Sequence, residues 1–142
     1  MLDMTPTWWL RLASLISLLF AAGHSIGGVG NWSPMGDNEV LRAMTSVRFD
    51  TFGVSRSYRD FYTGFGWTIS AALGLQTVLL WQLAALVRTN ATELRPMIAA
   101  FAVAAIASGV IAWRFIFPVP ALFSVALLIA LTAAYVSAGR AT

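Results

Sequence analysis

The thirty residues 58–87 read YRDFYTGFGWTISAALGLQTVLLWQLAALV. No charged side chain occurs after Asp60 in this run. A helix crosses the hydrocarbon core of a bilayer with about 20 mostly apolar residues. The run is longer than that, so we expect the residues up to Gly66 to lie at the level of the lipid headgroups. This stretch predicts a membrane-spanning helix and decides the class of fold.

Three further segments have the length and apolar character of spanning helices: residues 8–24, 96–117 and 121–138. Of the 142 residues, 58% are hydrophobic and 11% are charged, against about 25% charged in an ordinary soluble domain. A surface so poor in charge must face lipid. We therefore predict an all-α fold, an integral membrane four-helix bundle, formed by a single domain over residues 1–142.

The start of the first span has a recognisable helix signal. Thr5 is a favourable N-cap residue, and Pro6 suits the first helical position. Trp8 and Trp9 are typical of the membrane–water interface. Because no basic stretch precedes the apolar run, we expect a retained helix and not a cleaved secretory signal.

Polar and small residues recur at helical spacing within the spans. Ser14, Ser17 and His24 share one face of the first span, and such residues mark helix–helix contacts in lipid. Two more faces have a small residue at every fourth position: Gly66, Ser70 and Gly74 in the second span, and Ala100, Ala104, Ser108 and Ala112 in the third. We expect these faces to pack against neighbouring helices.

Residues 25–57 are the one long polar stretch, and we predict a loop there. Its first part is rich in glycine. Its second part has apolar residues at helical spacing: Val40, Leu41, Met44 and Val47. That pattern predicts a short amphipathic helix lying in the membrane interface.

Composition excludes several functions. The formal net charge is +3, and the nine basic residues are all arginines scattered between apolar runs. This dispersion argues against nucleic-acid binding, which needs a basic stripe or patch. The chain has no cysteine and a single histidine, so thiolate chemistry is excluded and we predict neither a metal site nor a cofactor.

Chemistry could lie in the collar, which we define as residues 50–66, DTFGVSRSYRDFYTGFG. Asp60 lies in the collar, and His24 ends the polar face of the first span at the same end of the bundle. We predict these two as the catalytic acid–base pair, because carboxylate and imidazole groups both transfer protons. Four further residues are predicted to bind a ligand: Arg56, Tyr58, Tyr62 and Glu39.

A purely structural explanation of the collar stands beside the catalytic one. Ser57 followed by Asp60 fits the capping-box pattern at the start of a helix. Interfacial arginine and tyrosine side chains are common because they bind lipid headgroups. A lone histidine at a helix end is also often only a hydrogen-bonding residue.

Four motifs together resemble a family of small, uncharacterised bacterial four-helix integral membrane proteins. They are GHSIGG (23–28), WSP (32–34), FGVSRSYRDFYTGFG (52–66) and LWQL (80–83). In size and helix count the chain is also loosely similar to DoxX-like proteins. The resemblance implies a multi-pass protein of a bacterial inner (cell) membrane, and it implies no mechanism.

We favour a membrane protein whose interfacial polar cluster binds a hydrophobic or lipid-like small molecule, and the sequence leaves open whether the protein also transforms that molecule. The alternative is a non-catalytic accessory subunit that docks on a larger membrane complex through its small-residue helix faces. A transporter or channel formed by several copies is a third hypothesis, and the absence of charge near the bilayer midplane counts against it. The partners expected are membrane lipids, a hydrophobic small molecule, and a second copy of the chain or a larger complex.

Overall fold

The computed structural model describes residues 5–30, 33 and 35–140. Helices are α1 (Pro6–Gly23), α2 (Glu39–Ser46), α3 (Tyr58–Leu86), α4 (Arg95–Phe115) and α5 (Pro118–Ala138), and strands are β1 (Arg48–Thr51) and β2 (Val54–Ser57). A π-helical segment, His24–Gly30, continues α1. Four helical runs are long and apolar enough to cross a membrane, and they begin at Pro6, Tyr58, Arg95 and Pro118. The all-α, four-helix membrane fold is therefore confirmed, and the protein is multi-pass.

The predicted start of α1 is confirmed in detail. Pro6 is its first residue, and the main-chain N–H of Trp8 lies 3.4 Å from the Thr5 hydroxyl. The third and fourth spans each begin with proline in their first turn, where the missing N–H costs no hydrogen bond. The predicted ends of the spans lie within three residues of the ends of α1, α3, α4 and α5, but the first apolar helical run continues through the π-helical segment to Gly30.

The described residues form two compact units, residues 5–20 with 73–140, and residues 21–72. The first unit contains the main apolar core, to which all four long helices contribute. Its buried members are Leu10, Ala13, Leu80, Leu83, Ala84, Val87, Ile98, Ala105, Leu127, Ala130, Leu131, Ala134 and Ala138. The single domain expected from the sequence stays a prediction.

Within the first unit, polar side chains of α1 bond to the backbone of α3. Ser14 Oγ donates to the carbonyl of Thr77 at 2.8 Å, and Ser17 Oγ donates to that of Leu73 at 3.3 Å. Gln76 Nε2 in turn donates to Ser17 Oγ at 3.0 Å. The prediction that the polar face of α1 meets another helix is confirmed at Ser14 and Ser17.

In the same unit, α4 and α5 pack closely where α4 is smallest. A Cβ added to Gly109 would come within 3.2 Å of Ser124 Cβ. The side of α4 that is buried carries Ile98, Ala105 and Ala112. The small face predicted on this helix is buried only at Ala112, and its other members, Ala100, Ala104 and Ser108, are exposed. The side of α4 that packs on α5 is the one that contains Gly109, because this glycine allows the two helices to approach closely.

The second unit shows that residues 25–57 are more than a loop. The predicted amphipathic helix is present as α2, capped by the Asn38 side chain, which accepts from the N–H of Leu41. The sequence patterns predict neither the π-helical segment nor the antiparallel hairpin β1–β2 that are present here. Each strand has only four residues, too few for a clear alternating pattern. The loop prediction is therefore wrong for much of this stretch.

The hairpin turn also lacks the usual sequence signal. Its central residues are Phe52 and Gly53, with φ values of +48° and +80°. Positive φ at both positions is the mark of a type I′ turn, which favours Asn-Gly. A bulky side chain with positive φ costs about 1–2 kcal/mol, so Phe-Gly does not predict a hairpin.

Candidate functional site

The π-helical segment has an unusual amino-acid composition. It contains His24, Ser25 and three glycines within seven residues. Glycine weakens the α-helix by about 0.8–1.0 kcal/mol relative to alanine, which explains why α1 does not continue as a regular helix. π-Helical turns occur frequently at functional sites, and several residues of this one contact α3.

His24 is held by the backbone of α3. Its Nε2 lies 3.1 Å from the carbonyl oxygen of Gly66. Because a carbonyl only accepts, Nε2 must carry the hydrogen, and in the neutral ring Nδ1 is then the acceptor. Nδ1 faces Gly28, where an added Cβ would lie 3.0 Å away. The glycine therefore leaves room for the ring.

Two more contacts join the same segment to α3. The Tyr62 hydroxyl donates to the carbonyl of Gly28 at 3.2 Å. The Val29 side chain is buried against Gly66, where an added Cβ would lie 2.8 Å from Val29 Cγ2. The glycine-rich motif after α1 and the Tyr-Thr-Gly-Phe-Gly motif of α3 are therefore direct structural partners.

Serine hydroxyls extend this contact by one more turn of α3. Ser25 Oγ donates to the carbonyl of Ala21 at 2.8 Å and hydrogen-bonds to Ser70 Oγ at 2.9 Å. A hydroxyl has one hydrogen, so Ser70 is the donor of the shared bond. Ser70 and Gly66 were predicted to form a packing face, and in this unit that face is occupied by the π-helical segment.

Asp60 forms the predicted capping box with Ser57. The N–H of Ser57 donates to Asp60 Oδ2 at 2.8 Å, and the N–H of Asp60 donates to Ser57 Oγ at 3.2 Å. Two backbone donors that the helix itself cannot satisfy are thereby paired. The capping explanation of Asp60 is confirmed, and its proposed catalytic role stays a prediction.

The remaining predicted residues lie around the hairpin and α2. Arg56 Nη1 donates to the carbonyl of Ser55 at 3.0 Å. Tyr58 is half-exposed, and its ring lies 5.1 Å from that of Phe49. Glu39 is the exposed first residue of α2. His24 of the π-helical segment and Tyr62 of α3 each make a hydrogen bond that joins these two elements, whereas Arg56 and Tyr58 belong to the hairpin and its junction with α3.

Residues that sequence reasoning missed are Gly28, Val29 and Ser25. Gly28 leaves room for the His24 ring, and Val29 packs against Gly66. Ser25 forms hydrogen bonds to Ala21 and Ser70. The signal that could have found them is the pairing of two glycine-rich motifs at the ends of two consecutive spans. Close backbone approach is a common reason for glycine in a membrane helix.

No metal-binding group surrounds these residues in the part of the chain that the structure describes. No three His, Asp or Glu side chains there lie close enough to hold a metal ion. A shallow open depression beside α2 is lined by Asp37, Leu41, Arg42, Thr45, Ser46 and Arg59. His24, Asp60 and Tyr62 do not line it.

No protein-family model matches this chain, and neither a curated protein nor a solved structure matches it significantly. The resemblance drawn from the sequence motifs therefore stays a prediction, as does a bacterial inner-membrane location. Trp32 and Pro34 of the WSP motif lie outside the described residues.

Proposed function

We propose that this small multi-pass membrane protein is a non-catalytic subunit that docks onto a partner membrane protein through α4. The surface concerned is the α4 small face, which we define as Ala100, Ala104 and Ser108. These three residues are exposed although another side of the same helix packs against α5. This exposure is the observation that carries the proposal.

The physical argument concerns what drives helices together in lipid. Lipid tails are as apolar as leucine, so burial of apolar surface gives no driving force there. Small residues instead allow two backbones to approach, and a serine hydroxyl can bond across the contact. Elsewhere α4 presents large side chains to lipid, including Val103, Ile106 and Val110. The α4 small face is therefore shaped for a helix and not for lipid chains.

The hydrogen bonds of the polar side chains near the π-helical segment also support a non-catalytic role. His24, Ser25 and Tyr62 all bond to other groups of their own chain. Asp60 caps a helix. A structural role therefore explains much of the chemistry that had suggested a catalytic site.

The experiment is gentle extraction followed by native mass spectrometry, with Ala104→Leu as the test variant. We expect the wild-type protein to carry a partner chain in fixed stoichiometry and Ala104→Leu to lose it, because the larger side chain blocks helix approach. Ala85→Leu is the matched control, since Ala85 is an exposed alanine on α3. Equal recovery of the partner with both variants would remove the basis of the proposal.

A second candidate function rests on His24. Of the described groups, none makes a hydrogen bond to its Nδ1. This nitrogen can accept a hydrogen bond from a hydrophobic ligand with a hydroxyl or amide group. The same native mass spectra test it, because a lipid-like molecule should be retained by the wild type and lost in His24→Ala. No retained molecule, or equal retention in His24→Ala and Asp60→Ala, contradicts ligand binding at this cluster.

A further inference from the structure

We propose that the hairpin β1–β2 is a membrane anchor that places Phe52 in the apolar edge of the bilayer beside α3. The proposal does not depend on docking through α4. It commits to lipid as the partner of the hairpin tip.

The tip itself is the first observation. Phe52 is fully exposed and has φ of +48°. This turn position favours asparagine, which tolerates positive φ and is polar. A large aromatic residue here is unfavourable both for the backbone and for contact with water. An apolar environment around the side chain compensates for both.

The second observation is a continuous aromatic surface from the hairpin to the membrane helix. The Phe49 ring of β1 lies 5.1 Å from that of Tyr58 and 5.5 Å from that of Phe61. The Phe61 ring then lies 6.1 Å from that of Phe65. Tyr58, Phe61 and Phe65 are exposed on α3, and α3 is long and apolar enough to cross a membrane. The hairpin is thus an extension of a lipid-facing surface.

Chain geometry keeps the tip near that surface. Phe52 follows Phe49 by three residues, and a strand rises about 3.3 Å per residue, so the two Cα atoms are at most about 10 Å apart. Phe49 itself contacts the first turn of α3. The 29 residues of α3 exceed the roughly 20 that cross a hydrocarbon core, and its acidic residue, Asp60, lies in the first turn, so we expect that turn to lie outside the core. The hairpin consequently lies at headgroup depth.

Arginine placement fits lipid better than a protein groove. Arg48 Nη2 and Arg56 Nη1 both donate to the carbonyl of Ser55 at 3.0 Å. Both residues are exposed, so each guanidinium keeps donors for lipid phosphates. An aromatic tip between two interfacial arginines is the arrangement that membrane–water boundaries favour.

The absence of cysteine from the chain permits a direct test with the full-length protein. Phe52→Cys is labelled with a nitroxide in phosphatidylcholine–phosphatidylglycerol vesicles, and collisions with oxygen and with a water-soluble nickel chelate are compared. We expect the ratio of oxygen to nickel collisions to be several-fold higher than at Asp50→Cys, an exposed polar site on β1. Equal ratios would overturn the anchor. So would a label at residue 52 that is shielded from both reagents, because that result indicates a protein partner.

A second variant tests the proposal without a label, so that local unfolding caused by labelling cannot affect the result. Phe52→Asn improves the turn residue but removes the aromatic ring. In vesicles we expect the hairpin amides of this variant to exchange hydrogen several-fold faster than those of the wild type, and those of Phe52→Trp to exchange at the wild-type rate. Equal or slower exchange in Phe52→Asn would mean that the tip gains nothing from lipid and would refute the proposal.

Discussion

The side chain of Val29 lies against the bare Cα of Gly66, where an added Cβ would be 2.8 Å from Val29 Cγ2. Real Cβ atoms essentially never approach so closely. The contact joins the π-helical segment to α3 through packing alone. It also explains why residue 66 of α3 is a glycine.

Gly66→Ala should therefore destabilise the protein by about 1–3 kcal/mol, the usual cost of overpacking. The quantity to measure is the free energy of unfolding in mixed micelles. Gly74→Ala is the control: its added Cβ meets nothing within 4 Å, so a better helix former should stabilise by up to about 1 kcal/mol. Adding Val29→Ala to Gly66→Ala should recover part of the loss. No recovery would show that the two residues are not coupled.

Replacing His24 tests whether its hydrogen bond is structural. His24→Ala should cost about 1 kcal/mol or more, because the Gly66 carbonyl loses its side-chain donor. His24→Gln supplies an amide donor of similar reach and should retain most of the stability in the same unfolding assay. If both variants unfold like the wild type, the bond contributes nothing to the fold, and the second candidate function gains weight.

Ser57→Ala removes the capping hydroxyl at the start of α3. The expected loss is about 1 kcal/mol, seen as faster hydrogen exchange of the first amides of that helix. Ser46 is a suitable control, because its hydroxyl makes a longer, exposed bond of 3.4 Å to the carbonyl of Ala43. Ser46→Ala should change exchange little. Equal effects of the two substitutions would contradict a special role for the capping box.

A coupled effect is expected at Ser17 and Gln76. Ser17→Ala leaves the Gln76 amide without its acceptor in an apolar surrounding, so the cost should exceed the roughly 0.6 kcal/mol typical of a side-chain hydrogen bond in a membrane. The double variant Ser17→Ala with Gln76→Leu should be more stable than Ser17→Ala alone, because no unpaired amide remains. A double-mutant cycle of unfolding free energies measures this coupling. Additive losses would contradict it.

Much of the fold could be predicted because bilayer thickness sets the length of a spanning helix. The four spans, the amphipathic helix α2 and the Ser57–Asp60 capping box all follow from local patterns. The hairpin could not be predicted, since Phe52 occupies a turn position that its own propensity disfavours. The side of α4 that packs on α5 was also missed, because Gly109 and not the regular alanine spacing permits the closest approach.

The site was less predictable than the fold. The sequence singles out His24 and Tyr62; in the structure His24 lies in the π-helical segment, and Tyr62 of α3 bonds to that segment. Their acceptors, however, are the carbonyls of Gly66 and Gly28, and a main-chain acceptor leaves no signature in residue type. Residue chemistry alone therefore could not separate a packing contact from a catalytic group.

The most direct test of docking through α4 compares two isoleucines on that helix. Ile111 follows Ala104 by seven residues and so lies on the same face of α4. Ile106 follows Ala104 by two residues and therefore lies on a different side of the helix. Both are about half exposed, at 56% and 50%.

Each isoleucine is replaced in turn by an aliphatic photo-crosslinking amino acid, and the protein is irradiated in its native membrane. We predict a discrete protein cross-link from position 111 and lipid adducts alone from position 106. Lipid adducts alone from both positions, or equal protein cross-linking from both, would contradict the proposed docking face.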